Sequence, residues 1–394
     1  MADFPYNDSR EGRIARAAVQ QKWVGAHAPT RHIDPLLIFA VLGLTGYGLV
    51  MIYSATFFRL EEQGLDRLFY VNRQMVSLGI GIIGMAVVTL FDYRLYRAWS
   101  LLLYGASLVL LLFVLLGGEV INGSQAWLVI GGFQFQPSEL AKVSLIVMLA
   151  TLFHERREES LGMRALVEAL AIAALPMLLI LLQPDFGTFL VFVAIVFGVL
   201  LLARVRLRYM VALAVIGIAA FVVMLQSNTL EDYQVARLTS FINPDAADPD
   251  DIYNVSQAQI AIGSGQFAGQ GLFRGSQTKL SYVPENQTDF IFTVVGEELG
   301  FLGSSVLLAL FALLLWRAIR IAALSRDAFG TLVAGGIIAV FAFQVFINVG
   351  MAIGIMPVTG LPLPFVSYGG TSLIGSYLMV GLLLNVHMRR FQPG

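Results

Sequence analysis

The 394-residue chain contains no cysteine. That excludes disulfides, thiolate nucleophiles and cysteine-held zinc or iron–sulfur sites. Charge is also scarce. Asp, Glu, Lys and Arg make up 13% of the residues, about half the share of an ordinary soluble domain. Histidine occurs only at His27, His32, His154 and His387. Apolar residues are abundant instead, at 57%, and the mean hydropathy is +0.77. The composition is that of an integral membrane protein, and nothing in it points to a nucleic-acid partner.

A helix needs roughly 20 apolar residues to cross the hydrocarbon core. Runs of that kind predict spans at 35–55, 73–91, 98–117, 138–153, 165–182, 187–203, 208–225, 299–320, 328–354 and 366–388. The expected fold is all-α, with about ten transmembrane helices. Residues 1–34 are polar and show no cleavable signal peptide. They read either as a disordered cytoplasmic tail or as a surface helix from Glu11 to Trp23. A single membrane domain is expected over 35–390.

Lys and Arg set the orientation. With the N-terminus in the cytoplasm, eighteen of them fall inside, including Arg94, Arg97, Arg204, Arg317 and Arg389. Six fall outside: Arg59, Arg67, Arg73, Arg237, Arg274 and Lys279. Ten spans return the C-terminus to the cytoplasm, in agreement with the charges. Two outer segments stand out. One is short, 118–137, and the other runs from 227 to 298 between spans seven and eight. A loop that long is seldom without function or structure of its own. Short helices and re-entrant turns packed on the bundle are expected there.

The histidines lie in tails or at inner helix ends, so outer acid–base chemistry must rest on carboxylates. Asp245, Asp248, Asp250 and Asp251 sit in a Pro-containing stretch that reads as a solvated loop. Glu139, Asp185, Glu285, Asp289, Glu297 and Glu298 sit at membrane borders, where ionisable groups are costly and suggest function. Asp289 lies where the polar run Pro284–Thr288 enters an apolar helix. Two readings stand side by side: a general base with raised proton affinity, or N-capping by Thr288 or Asp289. Pro137-Ser138 marks a helix start, and a spacing of three puts Glu139 and Lys142 on one face. They read as a structural ion pair or as part of a cavity for an anionic ligand such as a diphosphate. Asp185, in Gln183–Thr188, reads locally as the cap of span six. Gly263–Ala268 fits a dinucleotide fingerprint only formally, because it lacks the required strand and lies in an outer loop. Close backbone packing, or a backbone nest around an anion, is the better reading of its glycines. The Pro- and Gly-rich stretch Gly360–Ser372 reads as a hinge or as the wall of a cavity.

Taken in order, Phe135–Lys142, Gln183–Thr188, Ile260–Gly265, Pro284–Phe292, Gly296–Gly300, Asn348–Met351 and Pro357–Ser372 resemble the SEDS family of shape, elongation, division and sporulation proteins. The resemblance runs from about 35 to 390. Ile260–Gly265 and Pro357–Pro364 look more like the RodA branch, which serves elongation, than the FtsW branch, which serves division. Gln266 stands where the family usually has another Gly, and Gln125 where an Arg is common.

The resemblance implies a peptidoglycan glycosyltransferase of the cytoplasmic (inner) membrane. Such enzymes polymerise lipid II into lipid-linked glycan at the outer leaflet and release undecaprenyl diphosphate. It implies a class B penicillin-binding protein and the elongation machinery as partners. It also implies an essential carboxylate at Asp289 and cavity roles for Glu139, Lys142 and Asp185. The substrate-facing candidates are then Glu139, Lys142, Asp185, Arg237, Gln257, Ser264, Gln277, Ser367 and Tyr368. Lys142 and Arg237, with a divalent cation such as Mg2+ or Mn2+, would offset the charge of the leaving diphosphate. The rival readings are a lipid II flippase and a pure scaffold.

Overall fold

The computed structural model describes residues 33–121, 123–131, 133–156, 162–226 and 249–390. The ten expected spans correspond to α1 (Pro35–Glu62), α2 (Phe69–Leu90), α4 (Ser100–Gly117), α5 (Pro137–Glu155), α6 (Met163–Leu181), α7 (Phe186–Leu202), α8 (Leu207–Gln226), α11 (Ile291–Ala323), α12 (Ala328–Ala352) and α13 (Gly370–Met388). Eight are long and apolar enough to cross a membrane; α7 and α8 contribute shorter apolar helices. A short α3 (Tyr93–Ala98) leads into α4. Outward-facing Phe39, Leu101, Leu102 and Val109 stay exposed, as suits a lipid-facing surface.

Local chemistry explains where the helices start. Asp34 accepts a bond from the Leu37 amide at 3.1 Å, and Pro35 occupies the first turn, where its missing N–H costs nothing. Pro137 plays the same part in α5. Asp185 accepts from the Thr188 amide at 2.9 Å and caps α7, as its sequence context suggests. Asp327 accepts from the Gly330 amide at 2.9 Å and caps α12.

Helices approach closely where side chains are small, the usual rule when lipid removes the hydrophobic drive between helices. A Cβ on Gly48 of α1 would lie 2.6 Å from the Val366 Cα, so this helix rests directly on the backbone of 365–366. α2 packs along α13, with Gly81 against Tyr377 and Gly381 against Met85.

Two features differ from expectation, and a third matches it. The segment 118–137 is not a plain loop. It forms an antiparallel meander of β1 (Glu119–Ile121), β2 (Ser124–Ile130) and β3 (Phe133–Phe135). Its apolar stretch is too short to announce a strand against the surrounding helical runs. The eighth span begins at Ile291 rather than 299 and is broken at Gly300, whose φ of 63° only glycine adopts freely. The described part of the long segment holds α9 (Pro249–Gly265), α10 (Ser276–Lys279) and the half-helix 291–299. These lie on the bundle, α9 against α11 and α12, as re-entrant packing requires.

Candidate functional site

Asp289 sits half-buried in the turn before α11. The turn is closed by Thr288 N–H and Phe290 N–H, both donating to the Glu285 carbonyl, at 3.1 and 3.3 Å. The residue at the cap position of α11 is Phe290, which offers no side-chain bond. The Thr288 hydroxyl turns back to the Glu285 carbonyl at 3.1 Å. Asp289 therefore stands one residue before the cap position.

The stretch 359–368 clamps this turn. Asn348 of α12 donates through Nδ2 to the carbonyls of Asp289 and Leu361, both at 2.8 Å. Ser367 Oγ donates to the Thr288 carbonyl at 2.6 Å and accepts from the Leu363 amide at 2.8 Å. The Tyr368 amide donates to the Gln287 carbonyl at 2.8 Å. Two bulky residues at positive φ flank the clamp, Glu285 at 51° and Phe365 at 65°. Such backbone strain gathers at functional sites, where the surroundings over-determine it. Gln257 lies half-buried on α9, beside Ala258, which packs with Val283, Phe290 and Val358.

Asp185 reaches the same region from the other side. A Cβ on Gly187 would stand 2.4 Å from the Thr359 carbonyl, so the start of α7 touches the clamp. Gln136 Nε2 donates to Asp185 Oδ2 at 3.1 Å. Burial pushes the Asp185 carboxyl above its ordinary value, and the Thr188 bonds and the Lys142 charge oppose it. Lys142 Nζ lies 2.8 Å from Glu139 Oε2, with side chains 2% and 5% exposed. Glu139 in turn abuts Gly375 of α13. Thr371, in the first turn of α13, donates to the Gln134 carbonyl at 2.8 Å and fastens β3 to the same helix end. Glu139, Lys142, Asp185, Gln257, Asp289, Ser367 and Tyr368 thus belong to one connected set of segments.

Ser264 and Gln277 have structural engagements. Ser264 Oγ donates to the Ala261 carbonyl and accepts from Gln270 Nε2, both at 2.7 Å. The Gln277 amide donates to Glu297 at 2.7 Å. Glu297 also accepts from the Thr278 amide and hydroxyl, which ties α10 to α11. Ser54 Oγ donates to Glu298, within 2.7 Å of both carboxylate oxygens. Two of the border carboxylates are therefore fasteners. Arg237 lies outside the described residues, as do Asn122, Asp245 and Asp248.

Five buried polar atoms without hydrogen-bond partners gather in the same segments: Ser138 Oγ, Asn286 Oδ1, Gln287 Oε1, Asn348 Oδ1 and Thr359 Oγ1. Buried orphans are rare and call for an explanation, and a polar ligand supplies one. Among the described residues no three His, Asp or Glu converge as a metal-ligand set. Sequence reasoning left out Gln74, whose Nε2 donates to the Ser367 carbonyl and whose Oε1 accepts from the Gly369 amide, both at 3.2 Å. Its only signal was a polar pair, Arg73-Gln74, opening an apolar span.

Comparison with known proteins gives the family. A family model described as a cell cycle protein, covering FtsW, RodA and SpoVE, matches residues 35–392. Stage V sporulation protein E of Bacillus subtilis (strain 168) is 41% identical over 356 residues, covering 90% of this chain and 96% of that protein. The peptidoglycan glycosyltransferase MrdB of Escherichia coli (strain K12) is 36% identical over 359 residues, covering 91% and 94%. A solved chain from work on the coordination of polymerization and crosslinking by a peptidoglycan synthase complex superimposes with a TM-score of 0.73. It is 33% identical and covers 92% of this chain and 99% of that one. The chain belongs to the SEDS family of multi-pass membrane proteins, with FtsW, RodA and SpoVE.

Proposed function

We propose that this chain is a peptidoglycan glycosyltransferase that joins lipid II units into glycan, with Asp289 as general base. The observation that carries the assignment is the position of Asp289. It is half-buried on a strained turn clamped by Asn348, Ser367 and Tyr368, one residue before the cap position of the helix that follows. A carboxylate so placed takes the proton from the 4-hydroxyl of the acceptor GlcNAc. The oxygen then bonds to the anomeric carbon of the donor, whose bond to the diphosphate breaks. The polyprenyl tails remain in lipid, so no closed pocket is required. We place both termini in the cytoplasm and the β-meander, α9 and Asp289 on the outer side, on the strength of the Lys and Arg count. The tail 1–34 and the membrane domain 35–390 follow from the same reading. The relative solved in a synthase complex supports a crosslinking partner of the class B penicillin-binding type. Ile260–Gly265 and Pro357–Pro364 support an elongation role. Depletion should then give round cells; filaments would assign division instead.

The break in α11 at Gly300 is the one observation that favours the flippase, because transporters place discontinuous helices at their sites. One assay separates the two. Purified protein with lipid II and no other polymerase should yield glycan, and Asp289→Asn should lower that rate by about 10²-fold or more. Asp289→Asn polymerising at the wild-type rate would overturn the base assignment. Lipid translocation without product would favour the flippase.

A further inference from the structure

Lys142 was the sequence's nearest counter-charge for a diphosphate, yet it lies against Glu139 at 2.8 Å, with both side chains almost fully buried. That pair is already neutral, so positive charge for the leaving group has to come from elsewhere. Beside the Asp289 clamp stand two arginines without an ion-pair partner among the described residues. Gln74 fastens the start of α2 to the backbone of Ser367 and Gly369. This sets its neighbour Arg73 against Tyr368, the residue whose amide holds the Gln287 carbonyl. The Arg73 guanidinium lies near the Tyr368 hydroxyl and over the Phe69 ring at 4.8 Å from its centroid, while the side chain stays exposed. Tyr70 meets Tyr368 edge-on, with ring centroids 4.9 Å apart. The Arg59 guanidinium lies 5.5 Å from the Tyr70 centroid. Its second terminal nitrogen is buried without a hydrogen-bond partner. By contrast, Arg67 on the same rim is paired with Glu61.

We propose that Arg73 and Arg59, spaced by Tyr70 and Tyr368, hold the diphosphate of the polyprenyl-linked saccharide next to Asp289. Two guanidiniums, one exposed and one with an orphaned donor, suit an anion with several oxygens, since planar guanidinium forks match phosphate oxygens. Aromatic faces hold both cations in place and leave their outer N–H groups for the ligand. Tyr70 and Tyr368 also offer flat apolar surface against which a sugar ring can lie. The ledge stabilises charge that develops on the leaving diphosphate. It rests on the glycosyltransferase reading for its role in the reaction, while its affinity for a diphosphate is independent of catalysis.

The test separates binding from chemistry. Full-length protein in detergent is titrated with undecaprenyl diphosphate and with undecaprenyl monophosphate, and polymerisation of lipid II is measured in parallel. Wild type should prefer the diphosphate. Arg73→Gln should weaken diphosphate binding and kcat/KM by about tenfold each, with an unchanged unfolding temperature, because Arg73 is exposed. Arg73→Lys should recover part of both, and Arg59→Gln should repeat the loss. Wild-type diphosphate affinity in both Gln variants would overturn the proposal. Diphosphate preference with no glycan from wild type would keep the ledge and sink the glycosyltransferase reading.

Discussion

At the Asp34 end of the bundle, several charged groups join one helix to another. Arg317 Nε donates to Asp34 at 2.9 Å, tying α11 to α1. The Tyr93 hydroxyl donates to Asp327 at 2.8 Å. Arg389 donates to Asn385 Oδ1 and to the carbonyls of Thr89 and Leu90, closing α13 on α2. The opposite, loop-bearing end has joints of the same kind, in Glu139–Lys142, Glu297 and Glu298. It differs in what it adds: a half-buried Asp289 on strained backbone, an exposed Arg73 and a group of orphaned polar atoms. Buried charge by itself therefore does not mark function in this molecule. The site proposed above is instead the place where reachable charge sits beside over-determined backbone.

The comparison can be tested by breaking joints at each end. Lys142→Met leaves Glu139 buried without its partner and should cost about 3–5 kcal/mol, measured by SDS-induced unfolding. Replacing both residues with apolar ones of similar volume should recover most of it. If that double variant, once folded, also loses polymerisation, the pair works as well as holds. Asp34→Ala removes a helix cap and the charged bond from Arg317, and should cost about 2–3 kcal/mol. Glycan yield per folded molecule should stay at the wild-type level, and a fall beyond the lost folded fraction would contradict the division of labour between the ends. Asp185→Ala should cost about 1 kcal/mol through the lost cap. Asp185→Asn keeps an acceptor for the Thr188 amide. Burial raises the folded-state carboxyl, so wild type loses stability as pH rises through that folded value. The Asn variant should match or exceed wild type at neutral pH, with the gap closing on acidification. An Asn variant that is less stable at pH 7 would show the ionised form to be preferred.

Much of this was legible in the chain. Long apolar runs gave the spans, and Asp34-Pro35 and Pro137-Ser138 gave helix starts, because caps and proline act locally. The Asp289 turn was found from a polar run meeting an apolar one. What holds that turn needed coordinates, since its partners Asn348 and Ser367 are remote in sequence. The meander at 119–135 was missed because its strands are short and their pairing is tertiary. Glu297 and Glu298 read as border carboxylates, and only the fold shows their partners, Thr278 and Ser54. Arg73 read as one outer cation among six, and its distinction lies in Gln74 and Tyr368.

The glycines at 265, 269 and 300 have a mechanical consequence. A Cβ on Gly269 would stand 2.1 Å from the Glu298 carbonyl, so backbone lies on backbone. Across that seam run four amide bonds: Gln270 to the Glu297 carbonyl, Gly271 to Glu298, Phe301 to Gln266 and Leu302 to Phe267, each between 2.9 and 3.1 Å. Residues 266–271 and the two halves of α11 on either side of Gly300 are thereby riveted together. Displacing this loop strains all four hydrogen bonds together, and the half-helix 291–299 joins that seam to the turn that carries Asp289.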